Sequence, residues 1–149
     1  MPATDATPYS TVATEAWHRL LQVSRLVLRE LDRRLDEEHR IGVTEFDVLI
    51  TLDNAAGKRL RMSELAGAVM LSSGGLTRLI GRLEDRGLVE RMQDTGDGRS
   101  YHATLTADGR RRLAEARATH DAVIDELVGS RLTRTQTGSL AQALARVVS

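Results

Sequence analysis

The stretch Gln93-Asp94-Thr95-Gly96-Asp97-Gly98-Arg99-Ser100 constrains the fold more than any other part of this chain. An Asp-Gly step with a second glycine close by is a strong hairpin-tip signal, because a tight reversal needs residues that tolerate positive φ. The flanks agree: Leu88-Val89-Glu90-Arg91-Met92 on one side and Tyr101 to Leu105 on the other are short and strand-like. Every other periodic segment has the spacing of a helix. The expectation is a mainly α chain with one small β-hairpin set into it.

The helical segments have readable limits. From Glu15 to about His39, Trp17, Leu20, Leu21, Leu28, Leu31 and Leu35 recur at three- and four-residue steps, and Val23, Leu26 and Val27 widen the apolar face. Such a helix, roughly 35 Å long at 1.5 Å per residue, is too long and too broadly apolar for one small domain to cover. Gly42 follows as a stop, and Thr44 with Asp47 resembles a capping box for a helix over 45–54. Residues 54–61 read as a polar turn or short extended segment. Ser63 is expected to cap a short helix to Val69, and Ser72 or Ser73 the next one, over 74–86. There Leu76, Leu79, Ile80 and Leu83 form the inward stripe, leaving Gly74, Thr77, Arg78, Gly81 and Arg82 outside. Gly87 ends that helix. Thr106 caps a long helix to about Gly129, and a last one over 135–147 aligns Leu140, Leu144 and Val147. Residues 1–13 read as a loose tail.

The net charge of zero conceals an asymmetry. Residues 1–57 carry 6 basic and 10 acidic groups, whereas 58–112 carry 11 and 7. The cationic excess therefore lies around the hairpin and the short helices, where a polyanion would bind. All but one of the cations are arginine, the side chain suited to bidentate and groove contacts. No cysteine is present, which excludes disulfides, thiolate metal sites and thiol switches. No apolar run is long enough to span a bilayer, and no secretory signal opens the chain, so the expected location is the cytoplasm.

Helix, helix, short helix, turn, helix and hairpin, bracketed by long helices, is the order of a winged helix-turn-helix. In such a lobe the second helix of the turn unit enters the major groove, and an arginine near the hairpin tip reaches the adjacent minor groove. The motifs that carry a family likeness are Met62-Ser63-Glu64-Leu65-Ala66, Leu76-Thr77-Arg78-Leu79-Ile80, Arg82-Leu83-Glu84 and Arg86-Gly87-Leu88-Val89. They are followed by Asp97-Gly98-Arg99-Ser100 and by Leu105-Thr106 with Gly109. In this order and spacing the chain resembles the MarR family of bacterial transcriptional regulators.

The resemblance implies a homodimer on a pseudo-palindromic double-stranded operator, most often a repressor released by a small phenolic or anionic ligand. It implies one domain over 14–149, with dimerisation helices at 14–40 and 107–149 and a DNA-reading lobe at 41–106. Carried over by position, Ser72, Ser73, Thr77, Arg78 and Arg82 fall on the reading helix. Asp97 and Arg99 fall on the wing, the aspartate orienting the arginine. Trp17, His18, Leu21, His39, Phe46 and Asp47 are candidates to line an effector cavity. A urate-responsive branch pairs an aspartate like Asp47 with two arginines, but the first of these falls on Leu79 here. The absence of cysteine departs from the peroxide-sensing branch.

Other chemistry finds little support. His18, His39, His102 and His120 have no metal-ligand spacing, so neither a metal nor a cofactor is expected. No Ser-His-Asp grouping, phosphate-cradling glycine loop or HExxH helix is present, which argues against an enzyme. Arg91 either contacts DNA or pins the wing to a nearby carboxylate. His102, and Lys58 with Arg59 and Arg61, either meet phosphate or are structural. The competing reading is a winged-helix interaction module that binds no DNA; the outward arginine pair and basic wing disfavour it.

Overall fold

A computed structural model describes residues 10–149. The chain forms α1 (Val12–His39), α2 (Val43–Asn54), β1 (Arg59–Arg61), α3 (Met62–Ala68), α4 (Ser73–Asp85), β2 (Val89–Gln93), β3 (Tyr101–Leu105), α5 (Ala107–Leu127) and α6 (Arg134–Val148). The mainly α chain with a small β-wing is as expected. The hairpin β2–β3 gains a third strand: β1 pairs antiparallel with β3, with Leu60 opposite Ala103, giving the order β1-β3-β2.

The helix starts depart from the sequence expectations in an instructive way. Thr11 caps α1 by accepting from the Thr14 N–H at 3.0 Å, so the helix begins at Val12 and the loose tail does not extend to residue 13. The rest of that tail, residues 1–9, lies outside the described residues. The α1 stop falls on Arg40, left-handed at φ 55°, ahead of Gly42. Thr44 and Ser63 do not cap; both lie inside their helices. Glutamates in the first turn take the role instead. Glu45 Oε2 accepts from the Gly42 N–H at 3.2 Å, and Glu64 Oε2 from the Arg61 N–H at 3.0 Å. A carboxylate at this position satisfies an orphan donor and complements the positive end of the helix dipole. Ser72 and Thr106 do cap α4 and α5, accepting from the Gly75 and Gly109 N–H groups at 3.1 and 2.9 Å.

The core joins all the elements except α6. Leu31 and Leu35 of α1, Phe46, Leu49 and Leu52 of α2, Leu65 of α3 and the Leu76/Ile80/Leu83 stripe of α4 are buried with Ala103 and Leu105 of the sheet and Leu113, Ala116 and Val123 of α5. Burying a leucine, isoleucine or phenylalanine side chain contributes about 1.5–3 kcal/mol, so the last turns of α1, from Leu31 on, are firmly fixed. Residues 12–28 of the helix are not covered in the same way: Val12, Trp17, Val23, Leu26 and Leu28 are exposed. Helix α6 buries no residue at all, and Leu140, Leu144, Val147 and Val148 face outward.

The joint between wing and α5 explains one sequence motif. Gly87 adopts φ +70° as α4 ends, and its carbonyl accepts from Thr106 Oγ1 at 2.6 Å. The Leu88 carbonyl accepts from the Thr106 N–H at 3.1 Å. One turn into α5, Gly109 packs against the same Leu88 carbonyl with no space for a side chain. Leu105-Thr106 with Gly109 is therefore a locking device for the hairpin.

Candidate nucleic-acid interface

Helices α3 and α4 are joined through Met70, at φ 55°, and Leu71, with Ser72 as the cap of α4. The amphipathic pattern of α4 buries Leu76, Leu79, Ile80 and Leu83 and leaves Ser73, Gly74, Thr77, Arg78 and Arg82 exposed on the other side. Nothing lies within 4 Å of where a Cβ on Gly74 or Gly81 would stand, so this face is open to close approach. No acidic residue occupies the first turn.

The outward residues differ in how free they are. Thr77 Oγ1 donates to the Ser73 carbonyl at 2.8 Å and is held against its own helix. Arg78 has neither a hydrogen bond nor an ion pair among the described residues. Arg82 is exposed, yet its Nε lies 3.8 Å from Glu45 Oε1 of α2. Arg86, one turn on, donates from Nη1 to Glu45 Oε2 at 3.2 Å.

The wing is built on backbone bonds. The Asp94 N–H donates to the Ser100 carbonyl at 2.8 Å and the Ser100 N–H to the Asp97 carbonyl at 3.0 Å. Asp97 Oδ1 accepts from the Arg99 N–H at 3.0 Å. Asp97 thus fixes the backbone of Arg99 in the turn and does not touch its guanidinium, which is exposed with no partner among the described residues. The wing is tied to α4 by Glu84, whose two oxygens accept from the Arg91 N–H and from Arg91 Nε, each at 3.0 Å. The carboxylate expected beside Arg91 is thus Glu84, and through it Arg91 pins the wing to α4.

His102 and Lys58 also have partners inside the lobe. His102 Nδ1 donates to Asp94 Oδ1 at 2.8 Å, and Arg61 Nε lies 3.3 Å from Asp94 Oδ2 without the alignment of a hydrogen bond. The His102 bond, with further help from Ser100 and the Arg61 charge, holds the Asp94 carboxyl below its ordinary range. Lys58 Nζ donates to the Asp53 carbonyl and lies 3.4 Å from its carboxylate. Arg59 has no partner among the described residues and is exposed beside two shallow clefts of 230 and 360 Å³ that share Arg59, Asp94 and His102.

The six effector-cavity candidates are not gathered around those clefts. Trp17, His18 and Leu21 lie on the first half of α1, where Trp17 is exposed and His18 Nδ1 is 2.8 Å from the Thr14 carbonyl. His39 and Phe46 meet successive residues of α5. His39 Nε2 is 2.8 Å from Thr119 Oγ1, and Phe46 stacks on the His120 ring with centroids 4.8 Å apart. Asp47 points away from the core and is exposed. Among the described residues, no group of three or more histidines and carboxylates is placed to hold a metal, and no helix is long and apolar enough to cross a membrane.

Glu45 and Glu84 were not singled out as site residues from the sequence. The only available signals were the spacing of Glu45 from Gly42 and the suspicion that Arg91 had a carboxylate partner.

A capped helix-turn-helix unit, a free cation on its second helix and a second one at the tip of a braced hairpin define a winged helix-turn-helix protein. The sequence profile of the MarR family matches residues 41–101. The transcriptional repressor MprA of Escherichia coli K12 is 30% identical over 131 residues, covering 88% of this chain and 74% of MprA. The HTH-type transcriptional regulator PecS of Dickeya dadantii is 33% identical over 109 residues, covering 72% of this chain and 62% of PecS. Among solved structures, Sco3205, a MarR family transcriptional regulator of Streptomyces coelicolor in complex with DNA, superposes with a TM-score of 0.83 at 28% identity. That match covers 97% of this chain and 91% of Sco3205. The chain belongs to the MarR family of transcriptional regulators.

Proposed function

We propose that the protein is a homodimeric, sequence-specific DNA-binding regulator acting in the cytoplasm, a repressor released by a small anionic or aromatic ligand. The observation that carries the reading is the pair of guanidiniums with no partner among the described residues, Arg78 on α4 and Arg99 on the wing, in one braced lobe. Arg78 with Thr77 and Arg82 reads base edges in the major groove, while the α4 amides, Ser72 and Ser73 meet phosphate. Arg99 enters the neighbouring minor groove, its backbone set by Asp97. Sco3205 was solved with DNA, which supports this partner; MprA, named a repressor, supports the direction of control.

Dimerisation is supported by the uncovered apolar faces of α1 and α6, which a second copy would bury. Two lobes related by a two-fold axis place the half-sites about one helical turn, 10–10.5 bp, apart. The effector cavity would then lie between the dimerisation helices and the lobe, lined by residues from Trp17, His18, Leu21, His39, Phe46 and Asp47.

The test is fluorescence anisotropy with the DNA upstream of the protein's own gene against a scrambled duplex of equal length, at several salt concentrations. A tenfold or greater preference for the upstream duplex is the expected result, with affinity falling steeply as salt rises. No binding to either duplex at low salt would overturn the reading and favour an interaction module.

A further inference from the structure

The first turn of α2 is where three other helices meet. The Val43 N–H donates to Asp32 Oδ1 of α1 at 2.9 Å, and Phe46 stacks on His120 of α5. Between them, Glu45 faces α4. Its side chain is only 15% exposed, so a largely dehydrated carboxylate confronts two guanidiniums. The two pairs are unequal. Arg86 is hydrogen-bonded at 3.2 Å, whereas Arg82 is 62% exposed and lies 3.8 Å away, held by charge alone. Arg86 belongs to the scaffold, and Arg82 stands at the margin of the outward face of α4.

We infer that Glu45 is a positioning residue of the DNA-reading face, one that restrains Arg82 and so turns it from an affinity residue into a specificity residue. This rests on the DNA-binding reading proposed above. An arginine with no partner gains from any phosphate it meets, whatever the sequence. An arginine that must leave a carboxylate gains only where the docked register offers it two aligned acceptors at once, as at a guanine edge, and gains little from the single, loosely placed phosphate of a wrong sequence. Discrimination rises because binding to wrong sequences is penalised.

Glu45→Gln tests this. Glutamine keeps the length and an oxygen for the Gly42 N–H, and it removes the charge that holds Arg82. Anisotropy titrations of wild type and variant on the upstream and scrambled duplexes, with a salt series and thermal unfolding of each protein, give the readouts. Glu45→Gln should bind the scrambled duplex about threefold more tightly, the scale of one exposed ion pair. Its slope of log affinity against log salt should steepen by about 1, for one more phosphate neutralised. The upstream-to-scrambled ratio should fall.

In an Arg82→Gln background the same substitution should leave scrambled-duplex binding unchanged; a persisting gain there would overturn the assignment to Arg82. Loss of affinity for both duplexes, or no change in either, would overturn the proposal. Should Glu45→Gln fail to fold, Glu45→Asp keeps the charge and withdraws it from Arg82, and the same signs are expected. If wild type does not distinguish the duplexes, the reading as a sequence-specific regulator fails. The scrambled-duplex and salt readouts still decide whether Glu45 restrains Arg82.

Discussion

Gly109 and Leu88 are in backbone contact: a Cβ on Gly109 would stand 1.9 Å from the Leu88 carbonyl oxygen. Only glycine fits there, and the obstacle is main chain that is itself held by Thr106. Gly109→Ala should therefore push α5 off the hairpin and lower stability by about 2–3 kcal/mol, the range of an overpacked site. Urea denaturation would measure it. A midpoint equal to wild type would mean that the joint gives way easily.

Arg99→Ala removes a side chain with no partner in the folded lobe, so thermal stability and oligomeric state should not change. DNA binding should weaken by about 1–2 kcal/mol, or roughly tenfold in Kd. Unchanged affinity in an anisotropy titration would remove the wing from the interface.

Leu140 and Leu144 of α6 are exposed in the single chain. Leu144→Glu would bury a charge in the proposed dimer interface while leaving the buried core of one subunit untouched. Sedimentation velocity should show a dimer Kd raised about a hundredfold, roughly 3 kcal/mol, with helical content retained. An unaffected dimer would move the interface elsewhere.

The Asp94 carboxyl is held below its ordinary value of 3.8, chiefly by the hydrogen bond from His102. A depressed carboxylate contributes stability above its unfolded value, and this is lost as pH falls through the lower value in the fold. The wing base should therefore loosen only in acid. In Asp94→Asn that step should vanish from the pH dependence of Ser100 amide exchange, because the amide cannot titrate. A step surviving in the variant would assign it to another group.

What could be read in the sequence depended on how far apart the partners lie. The Thr106 cap, a serine cap on α4 at Ser72 or Ser73, the Asp-Gly hairpin and the inward stripe of α4 are local patterns, and the sequence carries all of them. Thr44 and Ser63 misled because a hydroxyl and a nearby glutamate compete for the same orphan N–H groups, and spacing alone does not say which wins. Strand β1 remained an undecided short extended segment because its pairing partner, β3, follows only after two helices and another strand. The Glu45 cluster joins residues on separate helices, and no periodicity reports on such a contact. Arg91 was half-read: its need for a carboxylate was anticipated, and its partner Glu84 was found by the fold.

The Glu84–Arg91 pin has a mechanical consequence. Glu84 sits on the helix that carries Thr77 and Arg78, and it grips the strand that leads toward Arg99. Under the proposed function the two reading elements are the arms of a caliper with a set gauge. Such a tool measures the separation of a major-groove and a minor-groove contact as well as the bases at each. Duplexes whose twist or groove width puts these points at another separation would have to deform to fit, so the stiffness of the DNA between the contacts would itself be read.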